Sequence, residues 1–212
     1  MVQKTGFSYD FKDTIWNISV SKSDPSQLLI ELRKEKEQTI EYQCLDFKKQ
    51  EVKSLNISNQ DWWTQVEGYD GEVYVSKYKD RTDPTNKVYL KIGKKGNQEV
   101  TEEEVNEIHV EVNEPVQYLA GTEHFQLVSD FLCIPIAEMC EYLEYGDKII
   151  ISYYLRLDKG FQRKLIILEE GKELFEATQD EQMKGIASGS FFVHDSTLFF
   201  IKERNEVFVY PL

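Results

Sequence analysis

The sequence predicts an all-β protein built as a propeller-like array of four-stranded antiparallel blades. Aromatic residues make up 13% of the 212-residue chain, with 12 Tyr and 12 Phe beside only 5 Pro, and such side chains pack well on a pleated sheet. A pattern of strand, polar tip, strand and Lys-rich turn recurs, and the pair Glu51-Val52 is echoed 48 residues later by Glu99-Val100. Repeats of this length are typical of propeller blades or comparable arrays.

Residues 146–178 are the clearest copy of the repeated unit. A loop at 158–160 and a turn at 170–172 separate three predicted strands at residues 148–155, 164–168 and 173–176. The first strand is an apolar run from Ile149 to Leu155, interrupted only by Ser152, rather than an alternating one, as expected when both of its faces are covered. This predicts a sheet packed between neighbouring sheets.

Two units precede this copy and one follows it. Each is a meander of short strands joined by turn residues such as Asp24-Pro25 and Arg204-Asn205. The predicted strands lie at residues 14–20, 28–32, 39–47 and 51–52 in the first unit, 72–78, 87–92 and 99–100 in the second, and 191–193, 197–202 and 206–210 in the last.

The middle of the chain is less regular. Residues 107–113 alternate strictly between apolar and polar side chains, which predicts a half-buried strand. We expect further strands at 116–120 and 124–132, and periodicity does not decide between strand and short helix for 135–145.

These units predict a single domain spanning residues 1–212, with four or five blades. A closed β-barrel or a two-sheet β-sandwich of the same hairpins is the alternative. Because either arrangement must manage its edge strands, we expect residues 7–11 to pair with residues 206–210 and close the ring.

The net charge indicates which kinds of partner the protein can bind, and the cysteine content indicates its cellular compartment. The formal net charge is −13, and a field of that sign repels phosphate backbones, so we expect no nucleic-acid binding. No window is apolar for the roughly 18 residues needed to span a bilayer, and the first residues lack the apolar stretch of a signal peptide. Cys44, Cys133 and Cys140 stand in apolar surroundings and are odd in number, which favours free thiols in a reduced, cytoplasmic protein.

The sequence also resembles a known family. The features that carry the resemblance are Trp16 in the first strand, Trp62-Trp63 opening a unit, Asp83-Pro84 before a strand, and residues 146–155 and 191–212. With these features the chain looks like a family of uncharacterised Bacteroidetes proteins, catalogued as a domain of unknown function. The resemblance implies a β-propeller-like repeat fold in a bacterial cytosolic protein, and it carries over no activity.

No motif assigns a catalytic centre, so the catalytic residues stay unknown and no cofactor is expected. The sequence has no G-x-S-x-G elbow, no phosphate-binding glycine loop and no CxxC pair. Glu107, His109 and Glu111 share one face of the strand predicted there, but same-face neighbours lie some 7 Å apart. We therefore interpret them as a solvent-facing stripe and expect no metal.

The aromatic residues are the remaining candidates for a functional site. Asp61, Trp62 and Trp63, with Tyr69, Tyr74 and Tyr78 nearby, could form a platform for a carbohydrate or a peptide. The competing interpretation is that one tryptophan anchors the contact between blades. Since adjacent strand residues point to opposite faces, at most one of the two tryptophans is expected to face a given site.

Two kinds of function fit this sequence. The preferred hypothesis is a non-enzymatic binding or scaffold protein that takes an unknown protein or small-molecule ligand through loops at one end of the propeller. The alternative is a hydrolase or lyase whose carboxylates converge in a central channel. An acidic inhibitor of a basic protein is a third hypothesis.

Overall fold

The computed structural model describes residues 6–59, 61–80, 83, 86–94 and 96–212, and it confirms that the protein is all-β with two short helices. The chain divides into two compact units. The N-terminal unit comprises residues 11–111, and the C-terminal unit comprises residues 112–212 together with the first ten residues. The single-domain organisation expected from the sequence stays a prediction. In the described part of the chain, no helix has the length and apolar character needed to cross a membrane.

The first strand of the described residues, β1 (Phe7–Asp10), belongs to the C-terminal unit. The N-terminal unit then forms two four-stranded antiparallel sheets, each with its strands in chain order. The first sheet contains β2 (Thr14–Val20), β3 (Gln27–Lys34), β4 (Thr39–Asp46) and β5 (Glu51–Asn59). The second contains β6 (Gln65–Tyr69), β7 (Val73–Tyr78), β8 (Lys87–Gly93) and β9 (Gly96–Val100), and helix α1 (Glu102–Ile108) follows it.

The two sheets of the N-terminal unit share one hydrophobic core. Leu29, Ile40 and Tyr42 of the first sheet pack with Val73 and Val75 of the second, and all five are almost fully buried. Six consecutive residues of β3 are buried. The central strand therefore has both faces covered, as its near-continuous apolar sequence requires.

The C-terminal unit also contains two antiparallel sheets. The five-stranded sheet has the order β10-β11-β12-β13-β14, and the four-stranded sheet has the order β1-β17-β16-β15. The elements after α1 are β10 (Val116–Leu119), α2 (Glu123–Leu132), β11 (Ala137–Tyr145), β12 (Lys148–Arg156), β13 (Phe161–Glu169), β14 (Lys172–Met183), β15 (Phe191–His194), β16 (Thr197–Lys202) and β17 (Glu206–Pro211).

The predicted pairing between the two ends of the chain is confirmed. Strand β1 runs antiparallel to β17, with Phe7 opposite Val209 and Asp10 opposite Glu206. The N-terminal segment therefore completes the last sheet. None of the four sheets formed by the described residues closes on itself, which argues against the closed-barrel alternative.

The strand predicted at 107–113 is wrong, because the local sequence begins a helix. The hydroxyl of Thr101 accepts a hydrogen bond from the Glu104 N–H at 3.2 Å, and the Glu104 carboxylate accepts one from the Thr101 N–H at 2.8 Å. This capping box satisfies two backbone donors at the start of α1, and the acidic residues of its first turn interact favourably with the helix dipole. Glu107 then lies within α1 and His109 caps its C-terminus, so the predicted carboxylate–histidine stripe does not form.

The strand predicted at 124–132 is also wrong, since this segment forms α2. The Thr122 hydroxyl accepts a hydrogen bond from the Phe125 N–H, and Cys133 ends the helix in the left-handed conformation with φ 54°. Phe125 and Val128, three residues apart, are the buried residues of this helix. The undecided segment 135–145 contains strand β11.

The expectation of buried thiols holds for two of the three cysteines. Cys44 and Cys140 are buried and free, whereas Cys133 is free and exposed at the end of α2. Burial raises the pKa of Cys140 to about 11, so its thiol stays protonated and packs as a small apolar group.

Candidate binding cleft

Trp62 and Trp63 lie in a tight turn between β5 and β6, not in a strand. The Thr64 N–H donates to the carbonyl of Asp61 at 3.1 Å and closes the turn. The Thr64 hydroxyl donates to the same carbonyl at 3.0 Å, and the Trp63 N–H donates to the Asp61 carboxylate at 3.3 Å. An aspartate side chain that bonds the backbone two residues on is a common way to stabilise a turn.

This turn overturns the prediction that at most one of the two tryptophans faces a given site. The alternation of side chains holds only for extended backbone, and Trp62 and Trp63 both line one open cleft of about 470 Å³. We call it the tryptophan cleft. It is lined by residues of β2, β3, the turn and β6, namely Trp16, Asn17, Glu31, Arg33, Trp62, Trp63, Thr64, Gln65 and Val66.

Trp16 reaches the tryptophan cleft from an irregular position in β2. Ile15 lies opposite Leu32 and Asn17 lies opposite Glu31, so Trp16 is the extra residue of a β-bulge. Bulges redirect side chains out of the regular pleat. Trp16 is 54% exposed, and the apolar surface that it presents to solvent favours contact with a ligand.

Arg33 of β3 joins the three segments that line the cleft. Its guanidinium carbon lies 4.2 Å from the centre of the Trp16 ring and 5.1 Å from that of Trp62. Cation–π contacts of this kind fix ring orientation as well as adding attraction. The guanidinium also donates to the carbonyl of Trp62 at 3.0 Å and to that of Thr64 at 2.9 Å. The turn is thereby tied to β3.

Glu31 neutralises this arginine at the base of the cleft. The Arg33 Nε donates to Glu31 Oε1 at 2.7 Å, and the two side chains are only 8% and 2% exposed. Burial raises the pKa of Glu31, and the hydrogen bond and positive charge of Arg33 oppose that rise. Because Glu31 and two carbonyls already accept from the guanidinium, the cleft presents a neutral floor rather than a free cation.

The other residues named from the sequence lie outside the cleft lining. Asp61 supports the turn and pairs with Lys77 at 3.2 Å. Tyr69 is buried in the core of the N-terminal unit, and Tyr74 and Tyr78 do not line the cleft either. Among the residues that the structure describes, no group of three His, Cys, Asp or Glu side chains could hold a metal ion.

Trp16, Glu31 and Arg33 line the cleft but were not predicted from the sequence to do so. Two signals in the sequence point to them. Trp16 is one of only three tryptophans in the chain, and all three line the cleft. Glu31 and Arg33 place two opposite charges, two residues apart, inside an aliphatic strand, and charges at such positions are rarely buried unless they are paired.

Comparison with protein-family models, with curated protein sequences and with solved structures yields no match for this chain.

Proposed function

We propose that this chain is a non-enzymatic binding protein whose ligand, a neutral oligosaccharide, occupies the tryptophan cleft. One observation supports this above all: all three tryptophans of the chain line one open cleft, and Trp16 and Trp63 are 54% and 63% exposed there. Indole faces offer broad apolar surface on a rigid side chain. A sugar ring has an apolar face that such surfaces can cover.

The polar groups of the cleft favour a ligand that carries hydroxyl groups. Asn17 and Gln65 line it, and an amide side chain both donates and accepts, as hydroxyl groups require. Ligand sites commonly combine apolar walls with a few polar groups that fix orientation.

Charged ligands fit the cleft poorly. An ammonium ligand would meet the guanidinium of Arg33, which already lies over Trp16 and Trp62. A phosphate would meet a paired arginine in a chain of net charge −13, and that field repels anions.

Glu31 is the only carboxylate among the described lining residues, and it pairs with Arg33. Glycoside hydrolysis generally uses two carboxylates, so binding without cleavage is the better-supported function.

We propose that the four sheets are the blades of a propeller-like array in a bacterial protein of the family named above. Chain-ordered strands within the sheets, completed at one end by β1, support this arrangement. The exposed free thiol of Cys133 supports a reducing cytoplasm.

Intrinsic fluorescence tests the proposed function directly. Because every tryptophan of the chain lines the cleft, tryptophan emission reports on this site alone. We expect emission to change saturably when neutral oligosaccharides of glucose, galactose, mannose or N-acetylglucosamine are added one at a time. Substituting Trp63→Ala should weaken the affinity by about tenfold to a hundredfold, a loss of roughly 1.4–2.8 kcal/mol.

Tyr78→Ala is the matched control, since Tyr78 is a 45%-exposed aromatic residue outside the cleft lining. Calorimetry should show unchanged sugar affinity for this variant. Equal losses in Trp63→Ala and Tyr78→Ala would contradict the assignment of the site. If the protein bound a proline-rich peptide and none of the sugars, the proposed ligand class would be contradicted. If the wild-type protein shortened the oligosaccharide and the Glu31→Gln variant did not, the hydrolase alternative would be established.

A further inference from the structure

The C-terminal unit carries a second concave surface, formed by α2 and the face of the five-stranded sheet beneath it. We call it the α2 groove; its volume is about 300 Å³, and it is lined mainly by Tyr118, His124, Leu127, Phe131, Tyr142 and Ile149. Leu127 and Phe131 lie one turn apart on α2 and are 58% and 50% exposed. Neighbouring positions of this kind form a continuous apolar ridge along a helix. Phe125 and Val128 are the residues of α2 that are buried, so the exposed Leu127–Phe131 ridge is additional to the core.

The groove is held in shape by contacts beneath the exposed ridge. The rings of Tyr118 and His124 stack at 5.0 Å between their centres, with their planes 18° apart, which fixes the start of α2 against β10. Phe125, Val128 and Ile151 pack together in the core below. The groove is thus a preformed apolar surface.

Carboxylates lie beside this apolar surface on the helix and on the sheet, and we call them the acidic rim. Glu123 and Asp130 are exposed on α2, and Glu144 lines the groove. A row across the sheet pairs Glu144 with Ile149, Ile149 with Leu168, and Leu168 with Glu173. Directly paired residues share one face of a sheet, and Leu168 packs in the same core as α2. The apolar centre of this row therefore has an acidic residue at each end.

We propose that the α2 groove docks a basic amphipathic helix of a partner protein. A helix with apolar residues on one face and Lys or Arg beside them would place its anchors against Leu127 and Phe131 and its cations against the acidic rim. The same charges disfavour two other occupants. A second copy of this chain also carries −13, and an anionic membrane repels the acidic rim.

A designed peptide tests this docking. The probe is a fluorescently labelled peptide of about 20 Leu and Lys residues, which is long enough to form a helix on binding, with all leucines on one face. We expect its fluorescence anisotropy to rise with protein concentration and the affinity to fall with added salt. The double variant Leu127→Ala with Phe131→Ala should bind at least about tenfold more weakly.

Three controls make the result decisive. A peptide of the same composition with its leucines spread around the helix should bind much more weakly; equal binding would overturn the proposal, because charge attraction alone would explain it. The double variant Leu174→Ala with Ile186→Ala removes apolar side chains of similar exposure, 45% and 44%, in the same unit, and should bind normally. Sedimentation of the wild-type protein and of the Leu127→Ala, Phe131→Ala double variant tests for a second copy in the groove. Dimers formed by the wild type but not by the double variant would overturn the proposal.

Discussion

The tryptophan cleft and the α2 groove both expose large apolar side chains, but they hold them in different ways. In the cleft, Arg33 contacts two indoles and donates to Glu31 and to two carbonyls of the turn. In the groove, Leu127 and Phe131 stand on a helix packed by apolar contacts and capped at Thr122. A site fixed by a buried charge pair is preorganised for a small ligand of defined shape. A bare apolar ridge accommodates a partner that brings its own complementary face.

The largest effect should follow from breaking the charge pair of the cleft. Glu31→Ala leaves the guanidinium of Arg33 buried without its carboxylate, and we expect a loss of about 3–5 kcal/mol in the free energy of unfolding. Denaturant titration followed by tryptophan fluorescence measures both stability and cleft integrity, since the three tryptophans report only on the cleft.

Removing both charges provides the control for this prediction. Glu31→Leu combined with Arg33→Met fills the same space without a buried charge, and such replacements are often neutral or stabilising. We expect the double variant to recover most of the lost stability while losing the ring contacts of Trp16 and Trp62. If Glu31→Ala alone had little effect on stability, the pair would not hold the cleft and the contrast with the groove would disappear.

The same carboxyl group should make stability depend on pH, with an effect smaller than that of Glu31→Ala and opposite in sign, because a protonated Glu31 avoids the cost of a buried charge and still offers an oxygen acceptor to Arg33. Its pKa is higher in the folded chain than its ordinary value of 4.5, so the folded state binds the proton more tightly than the unfolded state. The stability linked to this proton is fully present below pH 4.5 and is lost as the pH rises through the folded pKa.

Comparison with Glu31→Gln isolates this contribution, because glutamine does not titrate. The wild-type free energy of unfolding minus that of the variant should increase as the pH falls from neutrality toward 4.5. Urea titrations of both proteins at a series of pH values measure that difference. A difference that instead decreased on acidification would mean that Arg33 outweighs burial and lowers the pKa of Glu31.

Sequence patterns predicted most strands because local alternation and turn residues determine them. Strand β2 was predicted to the residue, and β16 likewise. Alternation predicted a strand at 107–113, and the turn near residue 121 suggested another at 124–132, but neither prediction took account of a helix cap. Thr101 and Thr122 each stand at the N-cap of a helix, and a cap bond to the backbone outweighs a short alternating pattern.

The site was only half predictable for a different reason. Trp62 and Trp63 were identified from composition, but their shared cleft depends on the turn that Asp61 stabilises. Trp16 joins them through a bulge in β2, and bulges leave no local sequence pattern as distinct as strand alternation. Convergence of residues 16, 33 and 62 on one site is a tertiary property. It follows from sheet register and from a buried arginine.

The smallest of these effects concerns the helix that carries the α2 groove. Thr122→Ala removes the hydroxyl that accepts from the Phe125 N–H, and loss of an N-cap typically costs about 1 kcal/mol. Thr122→Ser keeps the acceptor and should retain nearly all of the stability. Hydrogen exchange should be faster in Thr122→Ala only in the first turn of α2, and this variant should bind the designed peptide more weakly.

Since the tryptophan cleft depends on Arg33 and not on this cap, its fluorescence response to sugars should be the same in both variants. A change in that response would mean that the two surfaces are coupled, and the difference between a charge-fixed cleft and a helix-borne groove could no longer be assigned to their local contacts.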